Sequence, residues 1–113
     1  MRKYRNKPIT VDNVRFDSQR EYARWCELLL LQRAGKITDL ERQVTYVLAP
    51  SVKFCDSQRA KPPLRIKPDF RYRENGELIC EDLKSDASLE DRAFTIRRHL
   101  LLSVHGVQLR ITK

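Results

Sequence analysis

Apolar and polar positions alternate, then cluster, then alternate again along these 113 residues, and each change of period predicts an element. Ile9 and Val11, then Val14 and Phe16, flank Asp12-Asn13. Two short alternating runs about such a pair predict a small hairpin over residues 8–16. The period then lengthens. Tyr22, Trp25, Cys26, Leu29 and Leu30 recur at helical spacing, widened by Leu28 and Leu31. A helix is expected from about Ser18 to Ala34, capped by Asp17 or Ser18, with Gly35 just past its end. So broad a stripe predicts burial against a sheet and leaves room for a partner chain.

Alternation returns between Leu40 and Leu48, where Val44, Tyr46 and Leu48 mark one strand. Residues 49–63 are rich in Pro, Ser, Asp and Lys and read as loop. A strand over Leu64–Arg73, a turn at Glu74-Asn75-Gly76 and a strand over Glu77–Lys84 form the next hairpin. A second helix is expected from about Ser88 to His105, turning Leu89, Ala93, Ile96, Leu100 and Val104 inward, with Gly106 beyond it. Val107–Ile111 supplies a last strand. The order ββ-α-β-ββ-α-β predicts an α/β fold: one domain over residues 1–113, with a central mixed sheet of four or five strands flanked by helices.

Charge sharpens this picture. Lys and Arg outnumber Asp and Glu by 23 to 15, a net +8, which favours a polyanionic partner because each neutralised phosphate releases a counterion. Arg2, Lys3, Arg5 and Lys7 make residues 1–7 a flexible basic arm. Cys26, Cys55 and Cys80 form neither a CxxC nor a Cys/His group, so neither a zinc ribbon nor a disulfide framework is expected, and a reducing cytoplasm fits. No apolar run follows the basic start, so no secretory signal is expected. The longest such run, Leu28–Leu31, is too short to span a bilayer.

The candidate chemistry lies in Lys67-Pro68-Asp69-Phe70 and Cys80-Glu81-Asp82-Leu83-Lys84. On a strand, residues two apart share a face, so Asp82 and Lys84 project together and Glu81 points the other way. The turn at Asn75-Gly76 pairs that strand with the one bearing Asp69, which brings two carboxylates within reach of one metal ion. Mg²⁺ or Mn²⁺ prefers such oxygens. An ion there polarises a scissile phosphate and acidifies a bound water, while Lys84 either handles that water's proton or stabilises developing charge. The bland alternative is a surface ion pair of little energetic weight.

Pro68-Asp69 followed by Asp82-Leu83-Lys84 resembles the signature of the PD-(D/E)xK nuclease superfamily. The likeness covers most of residues 14 to 106. Phe16-Asp17-Ser18-Gln19-Arg20-Glu21, the Leu-rich helix and Ala34-Gly35-Lys36-Ile37 are similar to small phage-encoded nucleases and to the catalytic domain of the transposon-end-cutting endonuclease. The resemblance implies a restriction-endonuclease-like fold with catalytic Glu21, Asp69, Asp82 and Lys84. Of these, Glu21, Asp69 and Asp82 would be metal ligands. Glu21 has a second reading, since Ser18-x-x-Glu21 is also a capping box. Gln43 and the basic helix around Phe94–Leu101 have counterparts in the same group. Gln43 is an accessory candidate for bonding Lys84, the attacking water or a phosphate. Ser85 stands where relatives often carry glycine.

Arg65, Lys67 and Arg71 share the strand parity of Asp69 and, with Arg97 and the basic arm residues Arg2, Lys3 and Arg5, are expected to contact DNA. Arg97 has a rival reading as a side chain snorkelling to solvent. The expected activity is Mg²⁺- or Mn²⁺-dependent DNA cleavage. By analogy it acts on branched DNA such as a Holliday junction, in phage or mobile-element recombination. A homodimer suits symmetric cutting. The rival functions are a non-catalytic basic nucleic-acid-binding module and a structural partner in a phage or transposon assembly.

Overall fold

Short-range chemistry places the first elements. The structure, a computed structural model, describes residues 7–113, so Arg2, Lys3 and Arg5 of the expected basic arm lie outside the described residues. β1 (Ile9–Val11) and β2 (Val14–Phe16) pair antiparallel around Asp12 and Asn13, both at positive φ, as a tight two-residue hairpin turn requires. α1 (Gln19–Arg33) begins at Ser18, whose hydroxyl accepts the Glu21 N–H at 3.1 Å. Its end is a Schellman motif: Lys36 N–H reaches Leu31 C=O and Gly35 N–H reaches Gln32 C=O, with Gly35 at φ +77°.

β3 (Thr38–Arg42), β6 (Phe70–Glu74), β7 (Glu77–Leu83) and β8 (Leu109–Thr112) form a four-stranded mixed sheet in the order β3-β6-β7-β8. Its first two pairings are antiparallel and the last is parallel. The β6–β7 turn carries Asn75 and Gly76 at φ 53° and 80°. Between β7 and β8 the chain crosses over through the one-turn α2 (Asp86–Leu89) and the long α3 (Arg92–His105). The fold is thus α/β, with a long helix on each face of the sheet. No helix among the described residues is long and apolar enough to cross a membrane.

Two expected strands are each broken at the same level. The Leu40–Leu48 segment divides into β3 and β4 (Tyr46–Ala49), and Leu64–Arg73 divides into β5 (Leu64–Ile66) and β6. Gln43 takes φ 52° on one side of the break, and Pro68, which has no N–H to donate, lies buried on the other. The register survives the kink. Arg42 faces Phe70, and four residues further along each strand Tyr46 faces Ile66. One long antiparallel pair therefore leaves the central sheet and continues as a separate two-stranded ribbon, β4–β5.

The core lies in two layers. On one face α1 packs Leu28 against Ile37, Phe70 and Tyr72. On the other, Phe94 and Leu101 of α3 meet Cys80 and Leu109 of the sheet and Leu48 and Ile66 of the ribbon. Each such buried side chain contributes about 1.5–3 kcal/mol. Both helices are rotated from the expected faces. On α1, Leu28 is fully buried while Leu29 and Leu30 are exposed. On α3, Phe94 and Leu101 are inward, while Ala93, Ile96 and Val104 face out. The expected Ser88–His105 helix is interrupted, because Asp91 caps α3 by accepting the Ala93 N–H at 3.0 Å.

Candidate active site

The kink builds the site. Asp69 C=O accepts the Gln43 N–H at 3.1 Å, which fixes the backbone immediately after Pro68. Asp69 stands one step beyond the Phe70–Glu81 pair, so it meets Asp82 at the ends of the two middle strands. The two acids are interlocked. Asp82 Oδ1 accepts the Asp69 N–H at 3.0 Å, and Asp69 Oδ2 accepts the Leu83 N–H at 2.9 Å. Lys84 Nζ lies 3.1 Å from Asp82 Oδ2 and 4.6 Å from the centre of the Phe94 ring. The Lys84 N–H, bonded to Thr112 C=O at 2.9 Å, extends the β7–β8 pairing to this residue.

Asp82 is only 5% exposed and Glu21 only 3%. Burial pushes the Asp69 carboxyl up to about 8, and the neighbouring Asp82 charge, a hydrogen bond between the two carboxyls and the Glu21 charge push in the same direction. The Leu83 N–H opposes them. Lys84 compensates the Asp82 carboxylate, and ionising Asp69 beside it without a further cation is costly. A hard divalent ion relieves that repulsion, and Mg²⁺ needs only one or two carboxylates when water and phosphate fill its remaining positions. The donor set fits.

Glu21 stands differently. Its Oε1 accepts from Arg42 Nη2 at 3.0 Å and its Oε2 from the Asp17 N–H at 3.1 Å. Glu21 does reach back to its own helix end, but to the residue before the Ser18 cap rather than to Ser18 as a capping box requires. Among the described residues, no three His, Cys, Asp or Glu side chains are gathered around one point as a metal site. For Glu21 to join Asp69 and Asp82 on an ion, its carboxylate must leave Arg42.

Glu81 occupies the opposite face. It is wholly buried and takes two hydrogen bonds from Arg24, at 2.6 and 2.9 Å, and one from the Tyr72 hydroxyl at 2.7 Å. Burial alone would raise this carboxyl, but the Arg24 and Tyr72 bonds outweigh it and hold the group below its ordinary value. Of the two adjacent acids, Asp82 therefore lies with Asp69 and Lys84, while Glu81 belongs to a structural ion pair.

The other candidates are scattered. Gln43 reaches the site through its backbone N–H. Arg65 is exposed on the ribbon opposite Val47, and Lys67 is exposed beside Pro68. Arg71 keeps the parity of Asp69, but its guanidinium is engaged by Glu41 and the Tyr46 hydroxyl. Arg97 lies half-buried on the inner row of α3, between Phe94 and Leu101. Ser85 starts α2, its hydroxyl accepting the Ser88 N–H at 3.2 Å. Sequence reasoning missed Arg42, which lies 4.2 Å over the Phe16 ring and holds Glu21. Its parity with the core residue Leu40 was the available signal for an inward-facing cation.

Fold and site together define a mixed α/β domain with paired, half-dry carboxylates beside a lysine. Residues 1–112 match the model of a family described as "Protein of unknown function (DUF1064)", and the chain belongs to that family. No curated protein and no solved structure matches the chain.

Proposed function

We propose that this chain is a divalent-metal-dependent DNA endonuclease of the PD-(D/E)xK type, with a restriction-endonuclease-like fold. The observation that carries the reading is the interlocked Asp69–Asp82 pair with Lys84 3.1 Å from Asp82. Carboxyls perturbed by desolvation and by a second acid, as Asp69 is, cluster at functional sites.

Asp69 and Asp82 would hold Mg²⁺ or Mn²⁺. A bound ion supplies Lewis acidity toward the phosphoryl oxygen and a more acidic water. The backbone N–H groups of Asp69 and Leu83 aim the two carboxylates, so the site is organised before substrate arrives. Lys84, pinned between Asp82 and the Phe94 ring, presents an ammonium where negative charge develops on the phosphate. Glu21 becomes a third ligand if Arg42 releases it. The substrate preference for branched DNA and the setting in phage or mobile-element recombination rest on family analogy, and a homodimer would suit symmetric cutting.

The test incubates the purified chain with a four-way junction, linear duplex and single-stranded DNA in Mg²⁺, Mn²⁺ or EDTA. Cutting should require the cation, favour the junction and fall at least ~100-fold in Asp82→Ala and Lys84→Ala. Cutting that persists in both variants overturns the assignment. Binding without cutting favours the non-catalytic basic module.

A further inference from the structure

Half of the chain's net +8 falls within residues 50–67, where Lys53, Arg59, Lys61, Arg65 and Lys67 face Asp56 alone. All five cations are exposed. Among the described residues none has a carboxylate within ion-pair distance, whereas Arg24, Arg42, Arg71, Arg73 and Arg110 in the body of the fold each do. The neighbouring α3 carries Arg92, Arg97 and Arg98 and contains no acidic residue. With Asp56 as its one acid, the segment keeps a net charge of +4 that is not balanced within it.

The segment is ordered. Beyond β4–β5, Val52 and Lys61 exchange backbone hydrogen bonds at 3.3 and 2.6 Å, and Ser57 N–H closes the tip on Phe54 C=O at 3.1 Å. Leu48 and Ile66 root the ribbon in the α3-side core. Because β5 runs directly into Pro68-Asp69, the ribbon's base adjoins the carboxylate pair, on the same side of the sheet as Asp82 and Lys84.

We propose that the β4–β5 ribbon and its tip grip the sugar-phosphate backbone of a DNA duplex arm leading to the scissile phosphate. Naming the polyanion as DNA rests on the nuclease reading above. Spacing supports the arrangement, since Lys53, Arg59 and Lys61 lie around the outer end of the ribbon and Arg65 and Lys67 along its approach to Asp69. Cations at both places would meet phosphates spread along one duplex arm. The exposed Val52, Phe54 and Leu64 would also suit a second protein surface, and the test separates the two.

Binding of labelled duplex DNA is followed by fluorescence anisotropy in EDTA between roughly 50 and 200 mM salt, the range over which phosphate contacts are most legible. A ribbon variant, Lys53→Gln/Arg59→Gln/Lys61→Gln, is compared with Arg20→Gln/Arg33→Gln/Lys36→Gln on and after α1, which removes the same net charge from other exposed positions. Three lost phosphate contacts should flatten the plot of log K against log salt by about 2.7 and weaken binding at least ~10-fold. The α1 variant should follow the wild type, and unchanged thermal melts show that both variants are folded. Equal effects of the two triple variants, an unchanged slope in the ribbon variant, or no binding by the wild type overturns the proposal. So does a ribbon variant that loses self-association and keeps its DNA affinity. Ribbon-dependent binding with no cutting in Mg²⁺ leaves this surface standing and removes the nuclease reading; normal cutting with an unchanged slope does the reverse.

Discussion

Replacing Asp69 with Asn should make the metal-free protein more stable at pH 8, an unusual outcome for a half-buried, hydrogen-bonded residue. Asn keeps an oxygen for the Leu83 N–H and offers an amide to Asp82, so the interlocked geometry can survive. What disappears is a carboxyl raised from 3.8 to about 8 by burial and by the Asp82 charge. At about 1.36 kcal/mol for each pH unit, that displacement corresponds to no more than about 6 kcal/mol. Asp69 is only partly buried and water softens the repulsion, so about 3 kcal/mol is the working figure. For a domain of this size that is about 10 °C in Tm. The sign follows from proton binding. The native carboxyl holds its proton more tightly than the unfolded one, so the wild type loses stability as pH rises from about 4 to about 8 and levels off above. Asp69→Asn lacks that decline, so the two proteins should melt alike near pH 4 and diverge up to pH 8. Melting curves by circular dichroism across this range, in EDTA, provide the assay. Equal or lower stability of the variant at pH 8 refutes the repulsion on which the site depends.

Three further outcomes follow from the same geometry. Millimolar Mn²⁺ at pH 8 should raise the Tm of the wild type and not of Asp69→Asn, since only the former has two carboxylates to share; equal shifts count against the pair as the binding point. Arg24→Leu strands the fully buried Glu81 carboxylate without its cation and should cost about 3–5 kcal/mol in urea unfolding, much of it recovered when Glu81→Gln is added. Asp91→Ala removes the α3 cap and should cost about 1 kcal/mol, read as a lower urea midpoint with an unchanged slope.

Local chemistry was the legible part of this fold. Ser18 and Gly35 bound α1 because capping depends on residues within a turn of each other, and Asp12-Asn13 and Asn75-Gly76 mark turns for the same reason. Asp82 and Lys84 share a face through strand period alone, and the tight β6–β7 turn carries Asp69 to them. The kink was not legible, because it joins Gln43 to Asp69, residues just beyond the ends of β3 and β6 with the whole ribbon between them in the chain. Pro68 marked one side of it, but nothing in the residue type of Gln43 announces a positive φ. The helix phases failed for a different reason. Four consecutive leucines from Leu28 leave rotation undetermined, and only the sheet decides that Leu28 turns inward while Leu30, at 62% exposure, faces out. Glu21 satisfied both of its readings in sequence, and its hold by Arg42 depends on a partner from β3.

The central claim is that Asp69, Asp82 and Lys84 form a hydrolytic centre, and single-turnover cleavage of end-labelled junction DNA at matched occupancy tests it most directly. With Mg²⁺ present, the wild type should generate nicked product, while Asp82→Asn should hold the same DNA and cut it at least ~100-fold more slowly. An Asp82→Asn protein that cuts at the wild-type rate, with the metal still required, would place the chemistry elsewhere in the chain.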